Sequence, residues 1–549
     1  MDKAREYIVK LQKESGGFTA GYHILKGWLP EYPEITGYTI PTLLRIGEIE
    51  RAKRAADWLV KIQNPDGSFP DYAWKNTYVF DAGQILLGLI EIYRYSGDER
   101  YQTAAERTAK WLIEQQDDNG AFVRHTYGGK PRTYHSRVGW ALVLAGKTFE
   151  EKEFLDAGVK NIEWAISQQQ ENGMFRFSGF ATDKDTVLHT LAYTTRGILE
   201  TGLLLKNEKY TQAAVTSIEK LAEIHFKYGI LPGYFNDQWE PTSKSKCITG
   251  LAQTAILFLK AYKITDDPKY LAAGIDTIEY LEKVAMVRKG KLAGALPGSV
   301  PIWGRYQPFM YPTWAVKFYL DAKMLLDEVV ENTDDVDAEY TAGRFAGLKD
   351  TFLKHSTLNP DDPRVKNLKD YADAFYQKVV VDLGCGTGRY APLFKKFRAK
   401  KIIGIDPTGE FIAFAKEKYG NIAEFRIGSA TKIPLENNSV DVVVAIESLQ
   451  HAKDIDSALR EINRVLRQGG RLIIIDRNPV SIRGLLKPLL EKMGKWMYPA
   501  WAEKKEKWYT LKEWKKHLGI GGFLLEDVRK INMDPVMKDR MLLIIARKR

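Results

Sequence analysis

"KVVVDLGCGTGRYAPLF", residues 378–394, changes its period partway along. "KVVVDL" is an apolar run rich in β-branched side chains, which favours a strand. "GCGTG" cannot extend that strand, and the residues after it open a helix. A strand ending in a glycine-rich turn at a helix start aims backbone N–H groups at whatever lies above the turn. Gly384, Gly386 and Gly388 let a ligand approach that backbone closely. A second apolar run, "KIIGID" (401–406), ends in Asp406, whose carboxylate can accept from both hydroxyls of a ribose. The glycine spacing is Gly-x-Gly-x-Gly rather than the Gly-x-Gly-x-x-Gly of dinucleotide sites.

The pattern continues toward the C-terminus. "SVDVVVAIES" (439–448) reads as a fourth strand, and "DIDSALREINRVLRQGG" (454–470) as a helix stopped by Gly469 and Gly470. "RLIIID" (471–476) reads as a fifth strand. "FLLEDVRKI" (523–531) and "MLLIIARK" (541–548) read as a closing antiparallel pair. With the glycine loop, this series resembles the class I S-adenosylmethionine-dependent methyltransferases (type 11-like), which methylate small molecules and metabolites. The resemblance implies a Rossmann-like α/β domain over 361–549 with a seven-stranded sheet, and S-adenosylmethionine as cofactor. It implies that Asp382 and the loop Gly384, Cys385, Gly386 and Gly388 face the methionine part, and that Asp406 and Pro407 face the ribose. Relatives usually carry Asp before Ala in the loop after strand three, where the Asp contacts the adenine amine. This chain has Ser429 and Ala430 there. Ile433 would flank the adenine, and Glu447 belongs to the same cofactor set. His451, just past strand four, is the candidate base for an alcohol acceptor, with a cofactor or loop contact as its alternative role.

The first 330 residues carry a different signature. "VKLQKESGGF" (9–18), "VKIQNPDGSF" (60–69), "IEQQDDNGAF" (113–122) and "ISQQQENGMF" (166–175) repeat Gln, a few polar residues, Gly, then Phe. Aligned on Gln12, Gln63, Gln115 and Gln168, the period is 51, 52 and 53 residues, the mark of a repeated supersecondary unit. Helical patterns flank each motif, as in "AAERTAKWLIEQQ" before and "LHTLAYTTRGILETGLLL" (188–205) after. Two further units without the Gln, from 217 and 277, bring the total to six hairpins. Six hairpins can close into an (α/α)6 toroid; an open solenoid is the alternative. The pattern resembles the six-hairpin glycosidase-like superfamily, which includes unsaturated glucuronyl hydrolases, polysaccharide lyases and uronyl epimerases. The motif is also similar to that of terpene cyclases and protein prenyltransferase β subunits, but the chain has no Asp-x-Asp-Asp proton donor.

In such a ring the inner-helix starts face one funnel. The candidates there are Glu34, Tyr38, Trp74, Tyr78, Asp81, Tyr134, His135, Arg137, His189, Tyr193, Arg196, Gln253, Trp303, Arg305, Tyr306, Tyr311 and Trp314. Aromatic faces stack on sugars and Arg forks grip carboxylates. Glu34 and Asp81 are the available carboxyl pair for glycoside hydrolysis. The Tyr, His and Arg content suits proton abstraction beside a uronate carboxylate. The same residues can equally form an inert scaffold.

The net charge of +11 is uneven: residues 361–549 carry +13, 331–360 carry −3 and 1–330 carry +1. A basic surface suits anionic partners such as acidic sugars, phospholipid head groups or nucleic acid, and no specific nucleic-acid partner is expected. Residues 331–360, with "TDDVD" and Asn359-Pro360, read as a linker around a short helix. No apolar run approaches the roughly 20 residues of a membrane span, and the N-terminus has no signal-peptide core, so a cytoplasmic location is expected. Cys247 and Cys385 are the only cysteines and fall in different domains, so neither a disulfide nor a metal site is expected. Residues 481–519 are rich in Lys and Trp, with Leu485, Leu486, Leu489 and Leu490 on one prospective helix face between Lys487 and Lys492. This segment is expected to cover the acceptor and draw in an anionic or lipid-linked one, or to touch a membrane surface. The expected function is O-methylation of a saccharide or glycan intermediate, with the toroid binding or processing the same sugar. The alternative is a lipid, quinone or other metabolite acceptor, with the toroid as a non-catalytic interaction module.

Overall fold

The computed structural model describes residues 1–180, 185–354, 356–452, 454–479, 507–533 and 541–549. The chain divides into two compact units. Unit 1 holds Met1–His225, Ile230–Asp266 and Ala273–Asn332; unit 2 holds Phe226–Gly229, Asp267–Ala272 and Thr333–Arg549. Each is described by itself.

Among the described residues unit 1 is built from twelve α-helices: α1 (Asp2–Lys10), α2 (Pro33–Arg45), α3 (Ile49–Ile62), α4 (Val79–Ser96), α5 (Glu99–Glu114), α6 (Ser136–Phe149), α7 (Lys152–Ser167), α8 (Leu188–Leu205), α9 (Glu208–Tyr228), α10 (Ile248–Thr265), α11 (Pro268–Tyr280) and α12 (Thr313–Glu331), of which residues 226–228 of α9 and 268–272 of α11 fall in unit 2. The even-numbered helices pack in sequence, α2 on α4, then α6, α8, α10 and α12, and α12 returns to α2. The return contact includes a buried bond: Thr42 Oγ1 donates to Asp321 Oδ1 at 2.8 Å, while Lys317 Nζ holds Oδ2 at 2.7 Å. The even helices are apolar nearly all round, as α4 and α10 show, which marks interior helices. The odd ones are amphipathic; α5 buries Tyr101, Ala104, Ala105, Thr108, Ala109 and Leu112 on one face.

The Gln motif is the joint from an odd helix to the next even one. Gln116 Nε2 donates to the Gly120 carbonyl of its own loop at 3.2 Å and to the Ala157 carbonyl of α7 at 2.9 Å. Gln12, Gln63 and Gln169 make the equivalent pairs, to Gly16 and Arg51, Gly67 and Ala104, Gly173 and Ala213. The clamping residues are therefore Gln116 and Gln169, one position after Gln115 and Gln168. Gln115 ends α5, its amide on the Trp111 carbonyl of its own helix, and Gln168 contacts Ser167. Gly120 has φ +91°, and a Cβ there would lie 2.3 Å from the Lys160 carbonyl oxygen. A side chain at this position is excluded by both conformation and space.

Unit 2 centres on a seven-stranded sheet: β1 (Val379–Leu383), β2 (Lys401–Asp406), β3 (Glu424–Ile427), β4 (Val440–Ile446), β5 (Leu466–Arg477), β6 (Phe523–Ile531) and β7 (Met541–Lys548). The order is β3-β2-β1-β4-β5-β7-β6, with β1 to β5 parallel and β7 antiparallel to both neighbours. Alternation splits the strand residues between two cores. Val380, Val442, Val444 and Ile473 face one helical layer; Val381, Val443, Leu472 and Ile474 face the other. Helices α13 (Val336–Gly347), α14 (Lys349–Leu353), α15 (Pro363–Lys369), α16 (Ala391–Lys396), α17 (Gly409–Tyr419), α18 (Ile455–Val465) and α19 (Leu511–Ile520) complete the unit. The stretch expected as a linker, 331–360, thus carries α13 and α14. Of the basic segment 481–519, residues 481–506, including the four leucines, lie outside the described residues; α19 carries its C-terminal part behind a Thr510–Glu513 capping box. Among the described residues no helix is long and apolar enough to cross a membrane.

Candidate functional site

Three aspartates end strands at the carboxyl edge of the unit 2 sheet, the edge where parallel α/β sheets bind ligands. Asp382 is the penultimate residue of β1, Asp406 ends β2, and Asp476 is the penultimate residue of β5. The loop after β1 is pinned by Gly384 and Cys385, whose N–H groups donate to the Ile405 carbonyl at 2.7 and 3.1 Å. Asp406 then takes the Gly386 N–H on Oδ2 at 2.8 Å and the Thr408 N–H on Oδ1 at 2.9 Å. A carboxylate oxygen accepts more than one bond, so both oxygens keep capacity for hydroxyl donors. Burial raises Asp406 above the usual carboxylate range, against the pull of the Thr408 and Gly386 N–H groups.

Asp382 is 3% exposed, and its Oδ2 has no partner. Burial pushes its carboxyl up to about 7; Arg389 opposes the shift and Asp406 adds to it. A buried acid with an empty oxygen beside a second buried acid is a well suited to an ammonium group and to hydroxyls. The space over Gly386 is open: the nearest atom to a Cβ built there is Phe411 Cδ2 at 4.0 Å. Gly384 and Gly388 are instead crowded, by Ser448 and by Phe425 and Ala415. Cys385 is buried and free, as is Cys247. Ile433 is buried and its N–H donates to Glu461 at 2.8 Å. Pro407, Ser429 and Ala430 are half-buried. Glu447 is turned into the protein, between Arg364 and Arg477 Nε, the latter at 3.4 Å. His451 is half-buried, with the Phe345 ring edge-on at 5.4 Å. Sequence reasoning passed over Asp476, which is 3% exposed with Oδ2 unpartnered; burial pushes it up to about 8. An acid closing "RLIIID" was the available signal.

In unit 1 many candidates converge, and they are buried. Tyr32 Oη donates to Asp81 Oδ2 at 3.0 Å, Tyr127 Oη to Oδ1 at 3.2 Å, and the Tyr78 ring stacks on Tyr127 at 4.1 Å. Glu34 shares this well: burial and the charge of Asp81 raise it, while the Tyr32 hydroxyl and Arg137 lower it. Arg137 Nε donates to Gln84 at 2.7 Å and its guanidinium lies over Tyr193 and Trp140. His189 lies 4.3 Å from the Tyr193 ring and 5.3 Å from Tyr306; His135 lies 4.8 Å from Tyr134. Burial pushes both imidazoles down to about 3. Arg196 instead pairs with Glu200 at 2.6 Å and Arg305 with Asp185 at 2.5 Å, over the Tyr234 ring. Tyr32, Tyr127 and Gln84 were not singled out from sequence. Their roles depend on partners about 50 residues away. Among the described residues no cluster of three or more His, Cys, Asp or Glu can hold a metal.

A family profile described as "Methyltransferase domain" matches residues 381–474. The uncharacterized methyltransferase YcgJ of Bacillus subtilis (strain 168) is 27% identical over 168 residues, 29% of this chain and 62% of that protein. The demethylmenaquinone methyltransferase of Chlorobaculum parvum is 37% identical over 105 residues, 18% of this chain and 43% of that protein. The crystal structure of an S-adenosylmethionine dependent methyltransferase from Mesorhizobium loti aligns at 16% identity over 34% of this chain and 99% of that chain, with a TM-score of 0.29. The chain thus spans about half the length of the curated relatives it matches. Unit 2 contains a class I methyltransferase domain, and the cofactor of that domain is S-adenosylmethionine.

Proposed function

We propose that the protein transfers a methyl group to an oxygen of a small-molecule acceptor in unit 2. The observation that carries this reading is the orphaned Oδ2 of buried Asp382 beside Asp406 and the open Gly386 backbone. S-adenosylmethionine, when bound, supplies an electrophilic methyl group, so the protein's share is orientation and proton handling. Asp382 would hold the ammonium end and Asp406 the ribose hydroxyls, over the loop that Gly384 and Cys385 pin and Gly386 leaves open, with Pro407 beside the ribose and Ile433 as the apolar wall. Glu447 acts by fixing Arg364 and Arg477 at the mouth. His451 takes the proton from an alcohol acceptor. With labelled cofactor and a panel of acidic saccharides, lipid phosphates and quinols, the full chain is expected to label one class. His451→Gln is expected to lower kcat on that acceptor about 100-fold while leaving cofactor affinity unchanged. An unchanged kcat removes His451 as the base, and labelling of no hydroxyl acceptor removes the reaction class.

Unit 1 we read as a six-hairpin (α/α)6 toroid that binds a saccharide without reacting on it. Tyr72, Trp74 and Trp303 are 54%, 54% and 66% exposed on loops leading into even helices, and suit sugar stacking. Against catalysis stand the 9% and 1% exposures of Glu34 and Asp81 and the hydroxyls that already occupy Asp81. A glycan array on the full chain should give signal that Trp74→Ala and Trp303→Ala reduce, with no cleavage product. Product release would restore the hydrolase or lyase reading.

A further inference from the structure

Helix α13 brings a carboxylate from outside the sheet connections to the cofactor edge of unit 2. Asp335 caps that helix: its Oδ1 accepts from the Ala338 N–H at 3.0 Å. Its Oδ2 accepts from Ser429 Oγ and from Thr431 Oγ1, both at 3.0 Å. Both hydroxyls belong to the loop after β3, which has no carboxylate of its own between Gly428 and Leu435. The same stretch walls the neighbouring surface. Phe345 of α13 lies 6.2 Å from the Phe411 ring and 5.4 Å from His451, and Phe352 of α14 lies 5.9 Å from Phe411. Phe411 is also the residue nearest the open space over Gly386.

The sheet order says which part of the cofactor meets Asp335. Asp382 and the glycine loop follow β1, and Asp406 ends β2. With the amino-acid half over β1 and the ribose on β2, the base extends to the far side of β2. In the order β3-β2-β1 that side is the loop after β3. The adenine edge carries an exocyclic amine, a donor, and a carboxylate is its strongest acceptor. We propose that Asp335, held by Ser429 and Thr431, is a cofactor-positioning residue that accepts a hydrogen bond from the adenine amino group. The α13 segment is then part of the cofactor site. The inference rests on the reading of the β1 loop as the S-adenosylmethionine site.

The test is calorimetry on the full chain with two probes, S-adenosylhomocysteine and S-inosylhomocysteine, in which a carbonyl replaces the amine. The parent is expected to prefer the adenosyl probe about 10-fold or more. Asp335→Asn keeps a helix-capping side chain but has no charge. It is expected to weaken the adenosyl probe about 10-fold and leave the inosyl probe unchanged or tighter, so the preference disappears. Ser429→Ala leaves the α13 cap intact and is expected to weaken the adenosyl probe by a smaller factor. Equal losses for both probes, or an undiminished preference in Asp335→Asn, overturn the proposal as a purely structural role. A parent that binds neither probe overturns it together with the cofactor reading, and so separates the two failures.

Discussion

Unit 1 and unit 2 both turn on glycines with positive φ, for opposite reasons. Gly120 is pressed against the next helix, 2.3 Å from the Lys160 carbonyl at its absent Cβ. Gly386 has open space above it out to 4.0 Å. The first glycine lets loop and helix meet, and the second leaves the space above its backbone open. Two aspartates differ as well, although in unit 1 the buried Tyr134 hydroxyl and both His135 nitrogens also have no hydrogen-bond partner. Asp81 in unit 1 is satisfied by two tyrosine hydroxyls, whereas Asp382 in unit 2 is left with an unpartnered oxygen. A buried polar group that is satisfied internally points to structure, and one left open points to a missing partner.

Five substitutions sharpen or break this contrast. Gly120→Ala adds strain and overpacking together, so it should destabilise unit 1 by about 3 kcal/mol, read from chemical denaturation. His135→Gln removes an imidazole whose folded pKa burial has pushed down to about 3. Between about 6.5 and 3 the unfolded chain binds the extra proton, so this group's contribution is present above pH 6.5 and is lost as pH falls. The variant should therefore lose less stability than the parent on acidification, by about 2 kcal/mol at pH 5. If both melting profiles fall in parallel, His135 is not neutral in the folded state. Gln116→Ala removes one donor from each of the Gly120 and Ala157 carbonyls, the former still held by Asn161 Nδ2, and should cost about 1–2 kcal/mol; Gln115→Ala should cost less. Equal effects would undo the assignment of Gln116 as the clamp. Gly386→Ala should change stability by only about 1 kcal/mol, the αL penalty, yet weaken cofactor binding at least tenfold. If it unfolds unit 2 as Gly120→Ala unfolds unit 1, the two glycines are not different in kind.

The unit 2 sheet was legible because its determinants are local. The apolar runs, the glycine turn and the acids at strand ends are each within a few residues of what they do. The Gln repeat was legible as a period but not in register. "QQ" at 115–116 and "QQQ" at 168–170 offer several glutamines, and only the position whose amide reaches the next odd helix makes the clamp. The closed path of even helices and the Tyr32–Asp81–Tyr127 cluster needed contacts across about 50 residues, which no window displays. "TDDVD" read as an acidic loop because nothing in it reveals that Asp335 caps a helix and meets Ser429.

The most direct test of the account is a calorimetric titration of the full chain with S-adenosylmethionine, alongside Asp406→Ala. Loss of that carboxylate removes a charge-assisted contact of about 1.5–3 kcal/mol. The account predicts one binding event per chain in the parent, weakened about 10- to 100-fold in the variant, with the unit 1 melting transition unchanged. No binding by the parent, or equal affinity in Asp406→Ala, would contradict it.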